Sequence, residues 1–339
     1  MKTINKGNYL DTDAISSKYR SLAIDILNKK ILITNFKDSE QSNDLTLPYN
    51  CDGYGRIHHF KRKTTNGFPL NSLPIDPAQN ALDLPFDDVI KVQVFQNAAC
   101  SWRCWYCFVD YKLLGANLKY ASFLSASELL DLYQKEENQY SIIDLSGGQP
   151  DLVPEWSLWV ADELSKRGLE KSVYLWSDDN LSNDYLWRYL SKDEVKRLAN
   201  YKNYGRVGCF KGFDEESFSF NTTAEPHSYN TQFLVMQRLI ASGIDMYGYI
   251  TLTAPNDHDI ENRIIKFIDR VQEQIHPIFP LRIIPLQISE FTPTKSRMKK
   301  QHKDSIEIQK IAVSIWNNEI QKRFSNETLS KRIFEHKIY

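Results

Sequence analysis

The chain has 339 residues, 42% hydrophobic and 25% charged, and its 42 lysines and arginines nearly balance 43 aspartates and glutamates. This is a globular composition, long enough for one large domain or two modest ones, and a near-neutral molecule has no overall field to draw nucleic acid to it. No run of about 18 apolar residues and no apolar leader core occur, so neither a membrane span nor secretion is expected; few, clustered cysteines suit a reducing, cytoplasmic setting.

Residues 1–88 show no regular rhythm. The stretches TLPYNCDGYGRIHHF and FPLNSLPIDP read as loops and short strands. The region is expected to be an N-terminal extension packed on the rest, with Asn50, Cys51, Gly53, Tyr54, Gly55, Arg56 and His58 lining or covering a site as a lid. Two basic clusters, Lys61-Arg62-Lys63 and Lys295 to Lys303, read first as solvated surface.

From residue 89 strands and helices alternate. VIKVQVFQ (89–96) reads as a buried strand that delivers the chain to Cys100, Cys104 and Cys107. Ser125-Ala-Ser-Glu128 has the form of a capping box, predicting a helix to about residue 138. A second strand, SIIDLS (141–146), ends in Gly147-Gly148-Gln149-Pro150, and Pro154 opens a helix that Gly168 stops. SVYLWS (172–177) leads to Asp178-Asp179-Asn180, and GRVGCF (205–210) to Lys211-Gly-Phe-Asp214. After a helix over 229–242 come a fifth strand (245–252), an amphipathic helix marked by Ile260, Ile264, Ile268, Val271 and Ile275, and a sixth strand (280–288). The last helix is expected to bury Ile308, Ile311, Ala312, Ile315 and Trp316.

This alternation implies an α/β fold: a partial (β/α)6 TIM-like barrel over 89–290, with the N-terminal extension 1–88 and a C-terminal helical segment 291–339. Ligands of such a barrel gather at the C-terminal strand ends. Arg282 on the sixth strand and His227 are candidates to face the mouth, and a buried Arg282 needs an anionic partner, from a substrate or an internal aspartate.

Three thiolates on one loop leave two chemical readings. A structural zinc site needs a fourth ligand, and neither Cys51, Cys209 nor any histidine stands at zinc-finger spacing. Alternatively, three thiolates hold three irons of a 4Fe-4S cluster and leave the fourth iron open. The spacing CxxxCxxC, with Tyr106 before the third cysteine and at the end of a βα strand, resembles the radical S-adenosylmethionine (SAM) superfamily.

The resemblance implies that Cys100, Cys104 and Cys107 are cluster ligands and that Tyr106 lies beside the adenine. It implies an enzyme that reductively cleaves SAM at one 4Fe-4S cluster to a 5'-deoxyadenosyl radical, which abstracts hydrogen from a substrate, small molecule or macromolecule. An electron donor such as flavodoxin or ferredoxin is implied as partner. Gly147-Gly148-Gln149-Pro150 is similar to the family's GGEP segment, which receives the ammonium of SAM; Gln149 replaces the acid but can still accept a hydrogen bond. Asp178 is the better candidate than Asp179 for the ribose hydroxyls, with a helix N-cap as the competing role. Lys211 sits where glycyl-radical activating enzymes place a lysine near the cofactor carboxylate. Cys209 reads as a buried strand residue. An activating-like enzyme, a tRNA-modifying enzyme and a non-catalytic metal-binding module stay open as alternatives.

Overall fold

The computed structural model describes residues 9–65 and 67–338; residues 1–8 of the expected extension, Asn66 and Tyr339 lie outside it. In chain order the strands are β1 (Ile24–Asp25), β2 (Lys30–Thr34), β3 (Gly55–Lys61), β4 (Val89–Phe95), β5 (Ala121–Ser125), β6 (Ile142–Leu145), β7 (Tyr174–Asp179), β8 (Tyr204–Phe210), β9 (Met246–Ile250) and β10 (Ile283–Pro285). The six strands expected from the alternation are β4 and β6 to β10. They pair in parallel, in the order β10-β9-β8-β7-β6-β4, and curl into a partial barrel.

Two strand pairings extend the sequence reading. β3, in the region read as loops and short strands, adds an antiparallel strand to β4, with Arg56 opposite Val94 and His58 opposite Val92. β2 pairs with β5 in a separate three-stranded sheet. Residues 55–61 are therefore part of the barrel wall rather than a cover over it.

The helices form for local reasons and hold for packing reasons. Ser125 and Glu128 make both halves of the capping box, opening the helix Ala126–Lys135. The helix Glu155–Lys166 buries Trp156, Val160 and Leu164 against the sheet and ends beside Gly168. Helix Ile260–Gln274 buries Ile260, Ile264, Phe267, Ile268 and Val271, each worth roughly 1.5–3 kcal/mol relative to exposure. The C-terminal helix Lys300–Arg323 faces inward with Ala312, Val313 and Trp316, and Ile311 is 48% exposed. That corrects the expected stripe, because Gln309 turns inward, bonding both the amide and the carbonyl of Ile288. Among the described residues no helix is long and apolar enough to cross a membrane.

Side chains of the sheet sort into two layers. One set packs under the helices. The other, including Val92, Val94, Ile142, Tyr174, Trp176, Val207 and Tyr247, fills the barrel interior, with Leu73, Ala78 and Ile333 in the same cluster and Phe60 and Phe334 packed on it. Several of the buried charges are paired. Arg20 donates from both terminal guanidinium nitrogens to the Glu155 carboxylate, and Arg206 meets Asp179 at 3.0 Å. Arg62 belongs to this group and not to a basic surface patch: it is buried, bonded to Asp76 and to Asp88.

Candidate functional site

The cysteine loop sits beyond the C-terminal end of β4, at the mouth of the barrel. Cys100 and Cys104 are buried and Cys107 is half-buried. Bonds from distant parts of the chain hold the backbone there. Arg103 N donates to Thr222 O and Trp105 N to Asn221 O, both at 3.2 Å, and Trp105 Nε1 donates to Asn221 Oδ1 at 3.1 Å. Tyr111 Oη donates to Cys104 O at 2.8 Å.

Burial pushes the thiols of Cys100 and Cys104 up to about 11 and about 12, against the positive charges of Arg103 and Lys211. Thiolates in such a place need a cation to stabilise them. Lys211 supplies part of that need, and Asn180 Nδ2 lies 3.7 Å from Cys100 Sγ as a donor to sulfur. Among the described residues no three His, Cys, Asp or Glu side chains already converge as a metal cage. What fits a metal here is the donor set: three soft sulfur ligands, two of them buried, beside a cation and an amide that favour the ionised state.

Gln149 lies completely buried at the turn after β6. Its Oε1 accepts from Ser101 N at 2.8 Å and Ser101 Oγ at 2.6 Å, and its Nε2 donates to Asp151 Oδ2 at 2.9 Å and Ser182 Oγ at 2.6 Å. Two lone pairs and two N–H donors are the full capacity of a carboxamide. The side chain therefore ties the cysteine loop to the loop after β7. An acid would turn a donor facing Asp151 into a second negative charge. Gln149→Glu is expected to cost about 1–3 kcal/mol at pH 7. The deficit should shrink as pH falls, because the new carboxyl, raised in the folded state by Asp151, regains its stability once protonated; urea unfolding at pH 7 and pH 5 measures both.

Polar residues enter the interior face at the top row of the apolar layer and continue toward the mouth. Asp144, level with Val94 and Trp176 in the register, is 2% exposed. Asp178, one layer higher, accepts from Ser146 Oγ at 2.5 Å. Burial raises both carboxyls; Asp178 raises Asp144 further, whereas Arg56 lowers both. Arg56 is 5% exposed, its guanidinium 5.2 Å from the centre of the Phe108 ring beside Cys107. His58 shares its face, edge-on to Phe60 at 4.3 Å. It is solvent-reached yet enclosed by the barrel, and that enclosure, with the charge on Arg56, holds its imidazole well below its usual range.

Several candidates from the sequence meet here. Lys211, half-buried after β8, acts electrostatically on Cys104, Tyr106 and Asp178 at once. Tyr106 Oη lies 3.1 Å from Thr251 Oγ1 just past β9. Gly147 and Gly148, with φ of +85° and +64°, lie against Gln96 and Asn97 at the end of β4. Asp179 is on the opposite face, paired with Arg206 and accepting from Leu181 N at 2.6 Å. Cys209 faces the interior, half-buried.

Two candidates lie elsewhere. Arg282 bonds Asp245 at 2.6 Å, on the approach to β9 and hence toward the opposite end of the barrel; the internal aspartate is its anion. His227 is 75% exposed at the start of the helix Ser228–Ala241. Asp144 and Ser146 were not singled out in the sequence. Their signal was an acid inside an otherwise apolar strand, SIIDLS, where alternation turns it inward.

No protein-family profile and no curated protein matches the chain. Solved structures with a similar arrangement include Streptococcus suis SuiB bound to S-adenosylmethionine, at 16% identity and a TM-score of 0.47, over 68% of this chain and 48% of that one. Another is anSMEcpe with bound AdoMet and Cp18Cys peptide, at 12% identity and a TM-score of 0.40, over 59% and 51%. QueE from Escherichia coli matches at 10% identity and a TM-score of 0.29, over 58% and 85%. The chain thus spans about half the length of the first two.

Proposed function

We propose that this chain is a radical SAM enzyme with a single 4Fe-4S cluster. The observation that carries the reading is the CxxxCxxC loop at the mouth of a parallel half-barrel, with the Gly147-Gly148 turn, Asp178 and Lys211 gathered beside it. Cys100, Cys104 and Cys107 would hold the cluster. When bound, cluster and SAM supply one-electron cleavage of the sulfonium to a 5'-deoxyadenosyl radical able to take hydrogen from a substrate.

The chain's own residues do the rest. Gln149 fixes the cysteine loop from beneath, so the ammonium of SAM would be met by the backbone of the glycine turn rather than by this amide. The carboxyl of Asp178, braced by Ser146, would accept from ribose hydroxyls, and Lys211 would pair with the methionyl carboxylate. The enclosed interior limits water around a reactive radical. A flavodoxin or ferredoxin would deliver the electron.

Anaerobic reconstitution should load about four irons and matching acid-labile sulfide per chain. Addition of dithionite and SAM should release 5'-deoxyadenosine, followed by chromatography. One zinc per chain without sulfide would overturn the reading in favour of a metal-binding module.

A further inference from the structure

Arg56 and Asp144 stand two strands apart on one row, both opposite Val94 in the registers of β3, β4 and β6. Adjacent strands lie about 4.8 Å apart, so their backbones are separated by roughly 10 Å across the curved inner face. Among the described residues, Arg56 Nε and Asp144 Oδ1 are buried without a hydrogen-bond partner. Leaving a buried donor and a buried acceptor both unmade costs about 1–3 kcal/mol each. Such a pair on one inward face of the sheet points to a ligand that supplies what the protein does not.

We propose that Arg56 and Asp144 form the substrate-recognition site, and that it takes a neutral carboxamide or ring-lactam edge on a small substrate. The C=O accepts from Arg56 and the adjacent N–H donates to Asp144. This assignment rests on reading the mouth above it as the cofactor site. Charge excludes the simpler ions. A carboxylate on Arg56 faces Asp144 and Asp178, whereas an ammonium on Asp144 faces Arg56. An amide, by contrast, pairs with a carboxyl group in either protonation state, because the protonated form still offers its carbonyl oxygen and adds a donor for the amide oxygen. Val92 and Ile142 lie one row below and Trp176 lies beside Asp144 on the same row, so apolar side chains flank the pair, which suits a compact molecule.

Acetamide, acetate and methylammonium serve as probes, observed by saturation-transfer NMR on the anaerobically reconstituted full chain. The wild type should respond to acetamide about tenfold more than to either ion, the discrimination expected of one hydrogen bond to a charged group. Arg56→Met, which removes the charge but keeps much of the bulk, should lose the acetamide response. Asp144→Asn should narrow the preference for acetamide over acetate, since one of the two acids that repel the anion is gone. Equal responses of wild type and Arg56→Met, as water filling the space would produce, overturn the assignment, and so does a wild-type preference for either ion. Substrate-free formation of 5'-deoxyadenosine is measured on the same samples. Intact cleavage with failed probe selectivity refutes this site alone, and absent cleavage refutes the cofactor reading while the probe result stands.

Discussion

Cys104→Ala is expected to abolish SAM cleavage and to leave less than half of the wild-type iron after reconstitution, with the fold intact. The sulfur is one of three donors in the loop, and a cluster bound through two thiolates loses its defined attachment. The rest of the loop does not depend on that sulfur. Tyr111 bonds the carbonyl of residue 104, Cys107 N donates to the same carbonyl at 3.0 Å, and Trp105 is anchored to Asn221 through backbone and indole alike. Replacing a buried thiol that the apo protein keeps protonated removes one small group, a change of about 1 kcal/mol in urea unfolding. Iron analysis, cleavage assay and unfolding on one preparation separate loss of chemistry from loss of structure. Retention of wild-type cleavage would place the reacting centre elsewhere.

Gly148→Ala is expected to be the most damaging single-methyl change in the site. Gly148 has a φ of +64°, and a Cβ there would stand 2.0 Å from Asn97 O, a backbone atom at the end of β4 that no side-chain rotation can move. Left-handed backbone costs a non-glycine residue about 1–2 kcal/mol, and overpacking adds typically 1–3 kcal/mol. A total of about 3 kcal/mol or more should appear in urea unfolding. Gly168→Ala is the matched control: its φ is +69°, but nothing lies within 4 Å of the added carbon. It should show the backbone cost alone, about 1 kcal/mol. Equal losses in the two variants would mean that the close approach to Asn97 is unimportant.

Much of the barrel was legible because its strands are short apolar runs separated by helical periods. The exceptions have a common physical cause. β3 carries Arg56 and His58 on its inward face, so the usual alternation is inverted: polar residues point into the barrel because its upper interior is polar. A hydrophobicity pattern cannot report that. Gln149 occupies a turn position where a ligand contact is expected, yet its orientation is set by Ser101, 48 residues earlier, and Ser182, 33 residues later. The anion of Arg282, Asp245, is 37 residues away. The inward turn of the last helix depends on Gln309, a polar residue drawn in by one strand-end backbone. In the last three cases a long-range polar bond overrode a local rule.

The anchoring of the cysteine loop also bears on how such a protein matures. Small zinc domains are unfolded until their metal arrives, so metal capture and chain collapse are one event. Here Gln149, Asn221, Thr222 and Tyr111 hold the loop with bonds that involve no thiol. On the proposed reading, the mould is cast before anything is poured into it: a cluster would be fitted into a receptacle whose walls these bonds already set.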